Sequence, residues 1–162
     1  KKVGQLCEKY ERKLYGVVSN MSIAMERRDL LQKFDCFICN QQEAGMFFSD
    51  DYSEKSQEEL QEILAGCLKN GNIPSMVVTM GGKGSVYADC DGLRGFCPPK
   101  NVSVKDTTGA GDSFCAGVAS GLTYGKTLSE AVEIGTRLAA SVITSSENVC
   151  PRFLPAAFGL EM

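Results

Sequence analysis

The chain has 162 residues, of which 43% are hydrophobic, and a formal net charge of −3; this size and composition predict one domain, 1–162, with a substantial buried core. The acidic balance argues against a nucleic-acid partner, because phosphodiester backbones need a positive protein surface. The apolar runs are too short to span a membrane and the first residues do not resemble a signal peptide, so we expect no membrane partner.

The first part of the sequence alternates amphipathic helices with short apolar strands. A periodic apolar pattern predicts a helix with one buried face, made by Val3, Leu6, Cys7 and Tyr10. The run 14–18 predicts a fully buried strand, and 36–39 predicts another. Between them we expect a second helix whose inward residues are Met25, Leu30, Leu31 and Phe34. This alternation predicts a parallel sheet with helices on both faces.

The chain contains eight cysteines and no histidine. Cys36 and Cys39 have CxxC spacing, but they fall in a predicted strand, and no second pair or histidine completes a zinc site. Most of the cysteines lie in apolar patterns, which favours reduced thiols in a cytoplasmic protein. The lack of histidine excludes a histidine-based catalytic triad.

The segment Asn40–Glu43 follows the strand at 36–39, at the edge of the sheet where open α/β proteins bind ligands. One interpretation is local: Asn40 caps a helix, and Glu43 completes a capping box with it. The other is functional, because a carboxylate here can orient water around Mg²⁺, which keeps much of its hydration shell. The residue types alone leave both interpretations open.

A capping box at 56–59 predicts the next helix, with an inner stripe of Leu60, Ile63, Leu64, Cys67 and Leu68. The apolar run 76–80 predicts a buried strand that leads directly into the glycine-rich segment 81–84. Beyond it, 85–88 and 93–96 are predicted to form a hairpin around Asp91-Gly92. The glycines at 81–84 are therefore compatible with a ligand-binding loop or with a plain turn.

The segment Asp106-Thr107-Thr108-Gly109-Ala110-Gly111-Asp112 lies between a predicted strand at 102–104 and a predicted helix containing Phe114, Val118 and Leu122. Glycines allow backbone N–H groups to turn towards a ligand, and a helix N-terminus favours an anion such as phosphate. Asp112 falls in the first helical turn. It either caps the helix or takes a proton from a nucleophile beside the bound phosphate.

A capping box at 127–130 predicts the last helix, with an apolar face made by Ala131, Ile134, Leu138 and Val142. Three glycines lower the helix propensity of this region: Gly117, Gly121 and Gly135. They are explained if two helices pack closely here or if a flat ligand lies against them.

The motifs at 40–43, 79–84 and 106–112 occur in an order and spacing that resemble the carboxyl-terminal part of the ribokinase-like (PfkB) family of sugar and nucleoside kinases. The resemblance extends over nearly the whole chain. Its most specific element is the string 106–112 followed by Ser113-Phe114. The resemblance implies an α/β fold, a Rossmann-like three-layer α/β/α sandwich with a mostly parallel sheet that is incomplete at its N-terminal side.

The resemblance further implies transfer of the γ-phosphoryl group of ATP to a hydroxyl of a small-molecule sugar or nucleoside. Asp112 matches the catalytic base of the family. The anion hole is matched by Gly109, Ala110 and Gly111. The nucleotide-binding loop is matched by Thr79, Gly81, Gly82 and Gly84, with Asn148 expected beside the adenine.

The resemblance to the ribokinase-like family also implies metal ions. Asn40 and Glu43 match the motif that acts indirectly on Mg²⁺. Many members also bind a monovalent cation such as K⁺, and the matching positions are Asp106, Thr108, Ile143 and Ser146.

The family's N-terminal substrate motif, sugar-binding aspartate and lid have no counterpart in this sequence. We therefore expect the acceptor side of the site, and a homodimer interface formed by the lid, to lie outside the chain. The isolated chain is expected to be inactive or to act only as a nucleotide-binding module. Residues 145–148 followed by Pro151 resemble the tail of pseudouridine-kinase-like members, which favours a nucleoside or sugar-like acceptor.

Overall fold

The computed structural model describes residues 2–17, 25–146, 150 and 154–160, except for the side chain of Arg28. These residues form two compact units. The first, the sheet unit, extends to Gly81 and includes Ser85–Phe96, and the second, the helical unit, comprises Gly82–Gly84 and the chain from Cys97 onward. The single domain predicted for 1–162 stays a prediction. Within the described ranges, no helix is both long and apolar enough to cross a membrane.

A five-stranded sheet in the order β1-β2-β3-β4-β5 is the scaffold of the sheet unit. Its strands are β1 (Tyr15–Val17), β2 (Cys36–Asn40), β3 (Ser75–Thr79), β4 (Ser85–Asp89) and β5 (Arg94–Cys97). The first three strands are parallel, and β4 runs antiparallel to β3. The Asp89 N–H donates to the Leu93 carbonyl at 2.9 Å and closes the hairpin between β4 and β5. The predicted parallel strands and the predicted hairpin are both confirmed.

The helices of the sheet unit are α1 (Lys2–Lys9), α2 (Gln41–Phe48) and α3 (Gln57–Gly71). The start of α3 is the predicted capping box, in which Ser56 Oγ accepts from the Glu59 N–H and Glu59 Oε2 accepts from the Ser56 N–H. Successive turns of α3 place Leu60, Leu64 and Leu68 in the core, each 0% exposed. Each of these leucines stabilises the unit by about 1.5–3 kcal/mol, and together they fix α3 on the sheet.

Two expectations for the N-terminal part are wrong. The apolar face of α1 is not buried, since Val3, Leu6 and Tyr10 are 63%, 53% and 58% exposed. Strand β1 is not fully buried either, because Val17 is 53% exposed. Periodicity thus identified apolar faces here but not whether another element covers them.

The helix expected between β1 and β2 is present in the described residues as a 3₁₀ helix at 28–33, with an i→i−3 bond from the Phe34 N–H to the Leu31 carbonyl. Its predicted inward side is confirmed, since Leu31 is buried and Met25 and Phe34 pack against the same core.

The helical unit is built on α4 (Ala110–Thr123) and α5 (Leu128–Ile143), followed by a 3₁₀ turn at Pro155–Phe158. The two helices approach each other through glycines. A Cβ atom on Gly117 would lie 2.6 Å from Gly135 Cα, and one on Gly121 would lie 2.8 Å from Ala131 Cα. Of the two explanations for these glycines, close helix packing is therefore confirmed.

The strand predicted at 102–104 is absent from the structure, which has irregular backbone there. Val104 is 54% exposed, and the N–H of the next residue, Lys105, donates to the Ile143 carbonyl at the end of α5. β-Branched residues favour strands mainly where neighbouring strands pack against them. This segment has a helix terminus as its partner instead.

Burial makes the two cysteines of the CxxC pair unreactive. Cys36 and Cys39 are 0% and 3% exposed, and burial raises the pKa of the Cys36 thiol to about 11. The thiol is therefore neutral at pH 8, and neutral thiols are poor nucleophiles. We expect the folded chain to leave Cys36 unmodified by iodoacetamide at pH 8, while denaturant exposes it to reaction, as read by peptide mass spectrometry. Equal labelling rates with and without denaturant would contradict this prediction.

Candidate functional site

Strands β2 and β3 end side by side at the carboxyl edge of the parallel part of the sheet. Asn40 and Thr79 are Cα partners there, so the structure brings together one residue from each of two sequence motifs. Thr79 Oγ1 is 3.5 Å from the Cys39 carbonyl, at the limit of a hydrogen bond. This edge is where open α/β sheets bind ligands.

Asn40 and Glu43 form a complete capping box at the start of α2. Asn40 Oδ1 accepts from the Glu43 N–H at 2.8 Å, and Glu43 Oε2 accepts from the Asn40 N–H at 2.8 Å. The local interpretation is therefore confirmed. It does not exclude the functional one, because the box uses one oxygen of the Glu43 carboxylate and the side chain remains partly exposed.

The oxygen atoms of Asn40 and Glu43 suit a Mg²⁺ ion that keeps its waters better than a metal ion bound entirely by protein side chains. Among the described residues, no three cysteine or acidic side chains are grouped so that they could hold a metal ion. Mg²⁺ is usually held by one or two carboxylates, retained waters and substrate phosphates. The Glu43 carboxylate is suited to that indirect role.

Replacing Glu43 with Gln separates the two roles of this side chain. Gln also completes a capping box, so we expect the free energy of unfolding to change by less than about 0.5 kcal/mol. If Glu43 acts on Mg²⁺ as the resemblance implies, the Mg²⁺ concentration needed for half-maximal phosphoryl transfer rises in this variant, because the negative charge of the carboxylate is lost. The matched control is Glu59→Gln in the capping box of α3. If both variants show the wild-type Mg²⁺ dependence, Glu43 serves the helix alone.

The glycine-rich segment 81–84 connects β3 to the antiparallel β4 and includes a 3₁₀ turn at Gly81–Lys83. Gly81 and Gly84 have φ angles of +58° and +101°, which side chains other than glycine rarely adopt. Within the described residues, a Cβ atom on Gly81 or Gly82 would meet no atom within 4 Å. The segment is therefore a turn, and its backbone at these two glycines is accessible to a ligand.

The segment 106–112 begins with a turn held by Asp106. Asp106 Oδ1 accepts from the Thr108 N–H at 2.9 Å and from Thr108 Oγ1 at 2.8 Å. These hydrogen bonds from Thr108 hold the pKa of the Asp106 carboxyl below its usual value. The Ile143 carbonyl accepts from the Lys105 N–H at 2.8 Å and lies 3.5 Å from the Asp106 nitrogen.

Three of the four predicted cation-site residues are thus linked, namely Asp106, Thr108 and Ile143. The fourth, Ser146, is exposed near the end of α5. Asn148, predicted to lie beside the adenine, and Glu147 and Pro151 lie outside the described residues.

The N-terminus of α4 presents two backbone N–H groups. Gly109 is the N-cap, with a φ angle of +79°. The Ala110 N–H donates to the Thr107 carbonyl at 3.1 Å, and the first i→i−4 bond of the helix runs from the Ser113 N–H to the Gly109 carbonyl at 2.9 Å. The N–H groups of Gly111 and Asp112 lie between these two and have no intrahelical acceptor. They can donate to an anion.

Asp112 is exposed in the first turn of α4 and does not cap the helix, whose N-terminus has no side-chain cap hydrogen bond. Of the two sequence interpretations of Asp112, capping is therefore wrong. Space is open beside it, since a Cβ atom on Gly111 would meet no described atom within 4 Å. A carboxylate, two N–H donors and open space together can serve proton abstraction beside an anion.

Sequence reasoning missed an open surface cavity of about 750 Å³ in the helical unit. Its wall combines apolar groups of Val102, Ala140 and Phe158 with the cationic side chains of Lys100 and Arg137. Arg137 donates to the Ala157 carbonyl and lies 5.2 Å from the centre of the Phe158 ring. No motif marks this cavity, because residues far apart in the sequence form it.

The α/β sheet and the glycine-led helix N-terminus agree with the ribokinase-like resemblance of the sequence, and comparison with known proteins tests it directly. A probable sugar kinase from Rhizobium etli CFN 42 superposes with a TM-score of 0.77 at 25% identity, over 99% of this chain and 48% of that one. The predicted fold class is confirmed. The chain belongs to the pfkB family of carbohydrate kinases, which it matches over residues 3–151.

Two relatives are nucleoside kinases by name. Guanosine-inosine kinase of Exiguobacterium acetylicum is 40% identical over 153 residues, which is 93% of this chain and 50% of that protein. Pseudouridine kinase of Escherichia coli K12 is 34% identical over 76 residues, which is 47% of this chain and 24% of that protein. The chain spans half or less of the length of these relatives.

Proposed function

We propose that this chain is the nucleotide-binding and catalytic part of an ATP-dependent kinase that phosphorylates a hydroxyl of a sugar or nucleoside. The observation that carries the proposal is the exposed Asp112 carboxylate, which stands beside the N–H groups at the start of α4 and does not cap that helix. Membership of the pfkB family supports the reaction class.

In the proposed reaction, Asp112 accepts the proton of the acceptor hydroxyl as its oxygen attacks the γ-phosphorus of ATP. The bond from the γ-phosphorus to the β,γ-bridging oxygen breaks, and ADP leaves. The N–H groups of Gly111 and Asp112, with Gly109 holding the turn, donate to the transferring phosphoryl oxygens. Phosphoryl transfer depends mainly on such positioning and charge stabilisation.

The remaining motifs are assigned to the nucleotide and the ions. We assign Thr79, Gly81, Gly82 and Gly84 to the ATP phosphates, and the cavity beside Val102 to the nucleoside part of ATP. Bound Mg²⁺ would neutralise phosphate charge, with Asn40 and Glu43 acting through its waters. A monovalent cation such as K⁺ is assigned to Asp106, Thr108, Ile143 and Ser146.

A purine nucleoside is the favoured acceptor, because the guanosine-inosine kinase is 40% identical over 93% of the chain. The experiment is a panel of guanosine, inosine, pseudouridine and ribose, each incubated with Mg²⁺-ATP and the full-length gene product that contains this chain. ADP formation is expected with at least one acceptor, most strongly with a purine nucleoside. Background ADP formation with every acceptor would contradict the proposal.

A second candidate is a nucleotide-binding module without catalysis, favoured by the accessible backbone at Gly81 and Gly82. Calorimetry and an ADP assay on the 162-residue chain test this second candidate. Binding of ATP without phosphorylation of any acceptor supports the module for the chain in isolation. Turnover by the chain itself rules that description out.

A further inference from the structure

Ser85, the first residue of β4, is a buried polar residue that the proposed site does not use. It is 1% exposed, and its Oγ has no hydrogen-bond partner within the part of the chain that the structure describes. A buried hydroxyl without a partner lowers stability, whereas alanine would fill the same place without that cost. Stability alone therefore does not explain a serine at this position.

Ser85 stands at one end of the loop 80–84, and Thr79 stands at the other. The two residues are Cα partners in the antiparallel register of β3 and β4, so their side chains lie on the same face of the sheet. The next pair, Val78 and Val86, is 0% exposed on both strands. This buried pair anchors the two strand ends that flank the loop.

The loop itself has room to rearrange. Gly81 and Gly82 are exposed, and within the described residues the space beside each is open to 4 Å. The 3₁₀ turn at Gly81–Lys83 has only three residues. The backbone N–H and C=O groups of this turn lie a few bonds before Ser85 in the chain. A change in their direction can therefore bring one of them to the Ser85 hydroxyl.

We propose that Ser85 is a positioning residue for nucleotide binding. Its hydroxyl hydrogen-bonds the backbone of the loop 80–84 in the conformation that the loop adopts around the phosphate oxygens of ATP. The inference rests on the proposed nucleotide-binding function of this loop. Ser85 then raises the affinity for nucleotide without touching it, because binding supplies a hydrogen bond that the present loop conformation does not make.

The test is Ser85→Ala in the full-length gene product that contains this chain, with ADP as the probe. Without nucleotide, Tm is expected to stay the same or rise, because an unpaired buried hydroxyl has been removed. The Kd for ADP, measured by calorimetry, is expected to rise about 2- to 10-fold, which corresponds to one neutral hydrogen bond. A merely structural hydroxyl would not combine unchanged stability with weaker binding.

Ser75→Ala is the matched control on the same face of the neighbouring strand. Ser75 Oγ donates to the Asp35 carbonyl at 2.7 Å, so its loss is expected to lower Tm and to leave the Kd unchanged. An unchanged Kd in Ser85→Ala, at any Tm, overturns the positioning role while leaving the proposed function intact. A wild-type gene product that binds no ADP overturns the nucleotide-loop assignment itself, and the role of Ser85 with it.

Discussion

Replacing Asp112 with Asn is expected to lower kcat for phosphoryl transfer by about 10²–10⁴-fold, which is typical for the loss of a general base. At about 1.36 kcal/mol for each factor of ten, this loss is about 3–5 kcal/mol of transition-state stabilisation. Asn has nearly the same size as Asp but cannot take the proton of the acceptor hydroxyl. The backbone N–H groups of Gly111 and residue 112 remain, so we expect the KM for ATP to change little.

The control for Asp112→Asn is Glu58→Gln, which removes another acidic side chain from the first turn of a helix, α3. Both variants lose a favourable interaction of a negative charge with a helix N-terminus, worth about 0.3–1 kcal/mol. Their stabilities should therefore fall by similar small amounts, whereas only Asp112→Asn should lose turnover. A kcat within a factor of ten of wild type in Asp112→Asn, with the same acceptor, contradicts the assignment of the base.

Local sequence patterns predicted the elements that are stabilised locally. The capping boxes at Asn40, Ser56 and Thr127 each begin a helix as expected, because the bonds of a capping box lie within four consecutive residues. The exposed face of α1 and the irregular backbone at 102–104 were not predictable in this way. Both depend on which distant element lies alongside, and neither periodicity nor β-propensity contains that information.

In the candidate site, too, features set by neighbouring residues were predictable and features set by backbone conformation were not. The order of motifs was sufficient to identify the segment 106–112, and the bond between Thr108 and Asp106 is local. Whether Asp112 caps its helix was undecidable from the sequence, since Glu43 at an equivalent helical position does complete a cap. Glu43 accepts its hydrogen bond from the N-cap backbone N–H of Asn40, whose φ is −90°, whereas the N-cap Gly109 has a φ of +79° and Asp is one methylene shorter than Glu.

Replacing Gly117 with Val is expected to destabilise the chain by about 3 kcal/mol, the upper end of the usual cost of overpacking. A Cβ atom on Gly117 would lie 2.6 Å from Gly135 Cα, 2.9 Å from Gly135 N and 3.1 Å from the Ile134 carbonyl. These are backbone atoms, so relief requires α5 as a whole to move away from α4. At about 2–4 °C for each kcal/mol in a chain of this size, Tm should fall by about 6–12 °C.

The same substitution at Gly66 in α3 shows that the effect comes from the helix contact and not from valine in a helix. Gly66 is exposed, and a Cβ atom there would meet no described atom within 4 Å. Val has a somewhat higher helix propensity than Gly, so Gly66→Val should change the stability by less than about 0.5 kcal/mol. Equal Tm values for the two variants would mean that α4 and α5 do not pack through Gly117 in solution. A much lower Tm for Gly117→Val than for Gly66→Val would instead mean that α4 and α5 pack through a contact that requires glycine. The helix whose N-terminus carries Asp112 would then be held in place by this contact.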